Sequence, residues 1–355
     1  MAVDCDRAAP ARGGHAMRSF WGDVNARARG LALHLLSRDE LGELAASRDP
    51  DELASRLQRA GFGEGLPGRG AAASSLELAV RRTAAARLAL MARWCGKRSE
   101  RLTVIFEDED RRSLRALLRG AVAGAAVERR LFGLIPTPSL PERALEELAR
   151  LRTPGEIVAI LALWRNPYAK ALQAEVGRLE PGLLRLELAL SRRYASRAVR
   201  AARWECRGLR RYVSEAIDIE NAVSALLLAP GSTDVEVEEA FLAGGTHVSR
   251  KVFLSAACGG STDAAASALA GSLQATPYAA PLRRHAGEPV KVERALFQTR
   301  LRAWMQEARG NPLSPAPFLA YMLRLRAQVM DLQNIAWGMA IGAPAVPLAG
   351  DLVTL

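Results

Sequence analysis

The chain is short of several things. Its 355 residues include four cysteines, five tyrosines, six tryptophans and eight phenylalanines. Lysine occurs only at positions 97, 170, 251 and 291. Cys5, Cys95, Cys206 and Cys258 are scattered, with no CxxC pair and no histidine at metal-ligand spacing. That excludes a zinc motif and a disulfide framework, and predicts free, mostly buried thiols of a cytoplasmic protein. No run of 18 apolar residues exists, so no membrane-spanning helix is expected. Alternating Val/Ile/Thr runs are nearly absent, which argues against sheet. With aromatics at 5% of residues, the core must be aliphatic. The first 16 residues have no apolar stretch and do not read as a signal peptide. They read as a disordered leader or an over-extended start, with Met1 and Met17 both open as the beginning.

What is present is helical. Hydrophobic residues make up 49% and charged residues 25%, an ordinary globular composition. Leu, Ala, Arg and Glu, all strong helix formers, dominate, and the predicted class is all-α. The formal charge is +11 and the pI about 10.2. That admits a nucleic-acid or anionic-membrane partner. The charge is almost all arginine, as expected from coding in a GC-rich genome. These arginines are dispersed and interleaved with glutamate at helical spacing, so they read as solvated faces rather than a binding patch.

No catalytic constellation emerges, and no cofactor or metal is expected. The glycine-rich stretch 61–70 has no following Gly-Lys-Ser/Thr and no preceding strand, so it reads as a connection. His15, His34, His247 and His285 are mutually remote, and His34 is assigned to a helix. The run Glu107-Asp-Glu-Asp110 is expected at a helix start, where carboxylates favour the dipole. Gly120 and Gly124 form a small-xxx-small pattern that suits close helix packing.

The strongest positive signal is repetition. Asp110-Arg-Arg-Ser113, Asp218-Ile-Glu220-Asn221 and Asp331-Leu-Gln-Asn334 recur 108 and 113 residues apart. Upstream, Glu77-Leu-Ala-Val80, Glu187-Leu-Ala-Leu190 and Glu293-Arg-Ala-Leu296 recur in the same order, 110 and 106 residues apart. Such a period is too long for a short-repeat solenoid and is domain-sized. After the first Asp phrase come Thr153-Pro154-Gly-Glu156 and, one helix later, Tyr168. After the second come Ser261-Thr-Asp263 and Tyr278. After the third the matching piece appears at the other end of the chain, as Asp49-Pro50-Asp-Glu52 and Phe62. Each is a helix start with a capping residue. The expectation is three related lobes in a closed, pseudo-threefold body, the third built from both termini. Its boundaries are a leader at 1–16, N-terminal helices at 17–75 that complete the third lobe, a first lobe at 76–180, a second at 181–288, and C-terminal helices of the third at 289–355. Helices are predicted at about 75–94, 100–124, 182–204, 207–228, 290–309 and 315–342, with a Pro-rich break at 311–317. Asp110, Ser113, Asp218, Glu220, Asn221, Asp331 and Asn334 are then candidate lobe joints, or residues lining a shared socket. In each phrase the two polar positions i and i+3 share one helical face.

Three stretches carry a family resemblance. Trp21-Gly-Asp-Val-Asn25-Ala-Arg27-Ala-Arg29 with Leu35-Leu-Ser-Arg-Asp-Glu-Leu41 resembles the N-terminus of the V-type/A-type ATPase rotor component known as C in prokaryotes and d in eukaryotes. Asp218-Ile-Glu-Asn221 looks like its middle-lobe motif. Phe318-Leu-Ala-Tyr321 through Gln328 and Asp331-Leu-Gln-Asn334-Ile335 is similar to its closing helix. The resemblance runs from Phe20 to Pro344, although Ser113 stands where the other copies have Asn. It implies a funnel of three helical lobes, peripheral to the membrane on the cytoplasmic face. It implies a non-catalytic rotor piece between the proteolipid (c/K) ring and the central stalk (D/F type) of an ATPase or ATP synthase. Two other readings stay open: a basic helical nucleic-acid-binding protein, and a helical scaffold of another assembly.

Overall fold

A computed structural model describes residues 21–355 except 64–65, 67–68, 97–98, 178–181, 204 and 232–233, together with some side chains beside those gaps. Cys5, His15 and the expected leader lie outside the described residues. All elements among the described residues are helices, which settles the class as all-α. In chain order they are α1 (Gly22–Ala32), α2 (Arg38–Ala45), α3 (Pro50–Arg59), α4 (Ala73–Cys95), α5 (Ser99–Val122), α6 (Val127–Leu131), α7 (Glu142–Arg150), α8 (Pro154–Leu163) and α9 (Ala169–Val176). They continue with α10 (Leu183–Ala202), α11 (Arg207–Leu228), α12 (Asp234–Ala240), α13 (Arg250–Ala257), α14 (Thr262–Ser272), α15 (Ala279–Arg284), α16 (Pro289–Gly310), α17 (Ala316–Ala340) and α18 (Ala345–Gly350). The six long helices fall where periodicity places them, and the Pro-rich break separates α16 from α17.

The chain forms two compact units. One is Leu184–Ala316; the other joins Asp23–Leu183 to Pro317–Leu355. The first unit's core is rich in alanine. Ala225, Ala256, Ala265, Ala266 and Ala270 are fully buried beside Phe253 and Leu269. Small side chains let α11, α13 and α14 approach closely, so interdigitation replaces bulk. Helix α16, assigned from the sequence to the third lobe, packs in this unit against α11 and α15.

Caps fix the short helices. Ser37 and Thr153 make capping boxes with Glu40 and Glu156, while Asp49, Ser249 and Ser261 accept from the backbone N–H three residues on. Each such cap contributes about 1 kcal/mol. Two helices that follow these caps also end alike. In α3 the Phe62 N–H donates to the Leu57 carbonyl at 2.8 Å, and in α8 the Asn166 N–H donates to Leu161 at 2.9 Å. Gly61 and Arg165 supply the left-handed residue these closures need, at φ 74° and 54°.

The order of small helices also recurs. After α5 come α6, α7 and α8; after α11 come α12, α13 and α14; after α17 comes α18, and then α2 and α3 from the opposite end of the sequence. α18 packs against α2, as α6 packs against α7 and α12 against α13. Arg38 Nη1 donates to the carbonyls of Leu352 (3.2 Å) and Thr354 (2.7 Å). The Leu36 N–H donates to Gln328 Oε1 at 2.6 Å. These bonds draw the N-terminal helices and the C-terminal segment together within one unit.

Three details differ from the sequence reading. The run 107–110 lies in the interior of α5, well past its start, and all four carboxylates are buried. The helix dipole therefore does not explain them; neighbouring side chains do. Asp108 pairs with Arg111 (2.8 Å) and Arg112 (3.2 Å), and Glu109 pairs with Arg326 of α17. His34 stands exposed just past the end of α1, where its carbonyl accepts from Arg87. Of the described cysteines only Cys95 is buried; Cys206 is half-buried and Cys258 exposed.

Candidate functional site: the three aspartate anchors

The three repeated aspartates are all buried, each in the interior of a long helix: Asp110 in α5, Asp218 in α11 and Asp331 in α17. A buried carboxylate needs donors, because desolvating an unpaired charge costs several kcal/mol. In every copy the donors come from the segment 22 to 30 residues further on, just beyond the small helix that follows.

Asp218 is the most fully served. Its Oδ2 accepts from the backbone N–H of Thr246 (3.0 Å) and His247 (3.0 Å) and from the Thr246 hydroxyl (3.3 Å). Its Oδ1 accepts from the Val248 N–H at 2.9 Å. Two glycines make room for this. Gly244 has φ 117°, closed to ordinary side chains, and a Cβ on Gly245 would lie 2.1 Å from Asp218 Oδ1. Asn221, three residues after the aspartate, clamps the backbone at both poles of Leu242, donating to its carbonyl and accepting from its N–H at 2.9 Å each.

Asp331 has two backbone donors, the N–H of Val353 (2.7 Å) and of Thr354 (2.8 Å). Burial nevertheless holds its carboxyl above the usual range, with these bonds and Arg38 acting against that rise. Among the described residues, the donors to Asp110 are hydroxyls: Thr137, and Ser139 at 2.5 Å. Burial pushes its carboxyl up to about 6; the hydroxyls oppose this, and Glu107 and Glu109 add to it.

The position three residues before each aspartate follows a second pattern: Glu107, Glu215 and Gln328. The buried turn aromatics meet it. The Tyr168 hydroxyl lies 3.4 Å from Glu107 Oε2. Burial, with the Glu215 carboxylate beside it, pushes the Tyr278 phenol up. Glu215 also takes Trp304 Nε1 (2.9 Å) and Arg211 (2.7 Å). In the third copy the corresponding residues are Phe62, which has no hydroxyl, and Gln328, which carries no charge and accepts from the Leu36 N–H.

Other repeated positions diverge. Ser113 is buried, Glu220 half-buried and Asn334 exposed, so Asn221 has no counterpart at 334. Glu77 is buried and accepts from Trp337 Nε1 and the Gly133 N–H, at 3.1 Å each. Burial raises its carboxyl above the usual range. Glu187 is half-buried and Glu293 exposed. Sequence reasoning missed the donors Thr137, Ser139 and Thr246, although their offsets of 27 to 29 residues from Asp110 and Asp218 are a readable signal.

Chemically these carboxylates are saturated acceptors within a packed interior. They position the segments that follow the small helices. Among the described residues no group of three or more His, Cys, Asp or Glu converges as a metal site. None of the described helices is long and apolar enough to cross a membrane.

Comparison with known proteins places this all-helical chain in a family. Residues 24–345 match the ATP synthase (C/AC39) subunit family. The chain belongs to that family, the same V/A-type ATPase family that its terminal motifs resemble. It is similar to the C subunit of the A-type ATP synthase of Haloferax volcanii, with 26% identity over 251 residues, covering 68% of this chain and 70% of that protein.

Proposed function

We propose that this protein is the non-catalytic coupling piece of a rotary V/A-type ATPase, seated between the membrane proteolipid ring and the D/F-type central stalk. It works at the cytoplasmic face, peripheral to the membrane, and transmits torque between ATP chemistry and ion translocation. The observation that carries this reading is the family match across 24–345, almost the whole described chain. The anchors supply its physical sense. A torque transmitter must resist shear between its helices. A tie from the middle of each Asp helix to the segment beyond the next small helix stiffens each repeat at its weakest point, the loop. In this reading the chain comprises three related lobes, the third closed by the N-terminal helices. Asp110, Asp218 and Asp331, with Ser113, Glu220, Asn221 and Asn334 around them, stand at the lobe joints or the socket wall.

The test is affinity purification of the tagged chain from gently solubilised membranes of its source organism. The expected result is a stoichiometric proteolipid ring and stalk proteins. Their absence, or nucleic acid in their place, overturns the proposal.

A further inference from the structure

The positive charge of this chain is not spread evenly. Residues 191–214 hold eight arginines and one acid, Glu205, and so carry +7 of the chain's +11. The arginines that read as dispersed along the whole sequence are concentrated here, where α10 ends and α11 begins. Arg200 stands in the last turn of α10, Arg203 one residue past its end, and Arg207 and Arg210 in the first turn of α11. All four are exposed, and Glu205 is half-buried. Arg207 and Arg210 lie one turn apart on the same face.

The turn between α16 and α17 joins this surface, within the same unit. Pro315 packs on Gly208, where a Cβ would lie 2.8 Å from the Pro315 Cγ. Arg211 pairs with Glu307 of α16 at 3.1 Å, and the same glutamate accepts from Asn311 Nδ2 at 2.6 Å. The Ser314 N–H donates to the Asn311 carbonyl at 3.2 Å, which closes the turn 311–314. Leu313, in that turn, is 64% exposed. Two residues of chain, at most about 7 Å, separate it from the proline seated on α11. Arg309, exposed in the last turn of α16, adds a fifth cation.

Folding does not call for this arrangement. Cations at a helix N-terminus oppose its dipole, and the first turn of α11 holds no acid, whereas α2, α3 and α14 open on acids. An exposed leucine on a turn gains nothing from water. We propose that Arg200, Arg203, Arg207, Arg210, Arg309 and Leu313 form a docking surface for an anionic phospholipid layer, with the arginines against headgroup phosphates and Leu313 set between headgroups. Charge selects an anionic partner, and guanidinium forks match phosphate oxygens. The projecting leucine chooses among anionic partners. A headgroup layer takes an apolar side chain into its acyl boundary, whereas a nucleic-acid backbone or an acidic protein face offers it mainly charged atoms. None of the described helices is a membrane span, so the contact is peripheral. The inference goes beyond the seat on a proteolipid ring: it rests on charge and exposure and requires no other protein.

The experiment is co-sedimentation of the full chain, free of other proteins, with phosphatidylcholine vesicles made with and without phosphatidylglycerol. Binding is expected only with phosphatidylglycerol, and it should weaken as salt rises. R207Q/R210Q should lower the affinity about tenfold or more, and L313S about threefold. R207K/R210K keeps the charge and should retain most of the binding. R283Q/R284Q removes two exposed arginines at the end of α15, in the same unit but outside this surface, and should change the affinity less than about twofold. Thermal midpoints like that of the wild type show that the variants are folded. No binding to anionic vesicles, or equal losses in R207Q/R210Q and R283Q/R284Q, overturns the proposal. So does tighter binding to a DNA duplex or to polyglutamate that is lost in R207Q/R210Q, which assigns the surface to another class of polyanion. Purification without a proteolipid ring would overturn the coupling role and leave the vesicle result untouched.

Discussion

Asp218 and Asp110 occupy the same place in two copies of one pattern, yet they are held by different chemistry. Asp218, in the unit Leu184–Ala316, receives three backbone N–H groups and a hydroxyl. Asp110, in the other unit, receives two side-chain hydroxyls and sits beside two glutamates. A backbone N–H can only donate, so the nest around Asp218 demands an acceptor at both oxygens. A hydroxyl rotates and can donate or accept, so the Asp110 site tolerates a neutral group. The same residue type at the same repeat position is therefore obligatory in one copy and replaceable in another.

Substitutions by asparagine break this comparison most directly. Asp218→Asn turns one acceptor into a donor facing N–H groups, and it should lower the free energy of unfolding by about 3–5 kcal/mol. Denaturant midpoints measure this, and a loss below about 1 kcal/mol would mean that the nest does not require charge. Gly245→Ala attacks the same nest from the other side. Its Cβ would lie 2.1 Å from a carboxylate oxygen fixed by its donors, and a loss of about 2–3 kcal/mol is expected. Asp331→Asn meets two N–H groups, one of which its amide nitrogen would oppose, and should cost about 1–2 kcal/mol.

The smallest effect belongs to Asp110→Asn, within about 1 kcal/mol at pH 7, because the hydroxyls of Thr137 and Ser139 can reorient. Its pH dependence sharpens the contrast. The folded carboxyl titrates near 6, above an ordinary aspartate near 3.9. Between those values the folded protein binds more protons than the unfolded one. Stability from this group is thus fully present below about pH 4, falls as pH rises through 6, and is level above. The wild-type protein measured against Asp110→Asn should show that slope, up to about 1.4 kcal/mol per pH unit. A flat difference between pH 4 and 6 would place the Asp110 carboxyl at its ordinary value.

Much of this is legible in the sequence, for definite reasons. Helix periodicity, caps such as Ser37, Asp49 and Thr153, and the Pro-rich break at 311–317 are local, and the helices follow them. The acidic run 107–110 reads as a helix start by its composition, yet the helix expected from about 100 already places it about two turns in, where a partner from α17 helps to neutralise it. The exchange of Tyr and Glu for Phe62 and Gln328 is visible as letters. It carries no meaning until the fold brings the turn aromatics of the other copies to the position three residues before each aspartate.

The sequence by itself determined the helical class and the threefold recurrence of Glu and Asp phrases, and it raised the expectation that the N-terminal helices complete the third copy. These rest on periodicity and spacing, which act along the chain. Only the tertiary structure decided which atoms answer each aspartate: backbone amides at 218 and 331, hydroxyls at 110. It alone showed that Arg38 reaches the carbonyls of Leu352 and Thr354, and that Pro315 lies against Gly208 at the start of α11. Hydrogen-bond donors and desolvation are set by what surrounds a residue in space, and residues some 300 positions apart become neighbours only when the chain has folded.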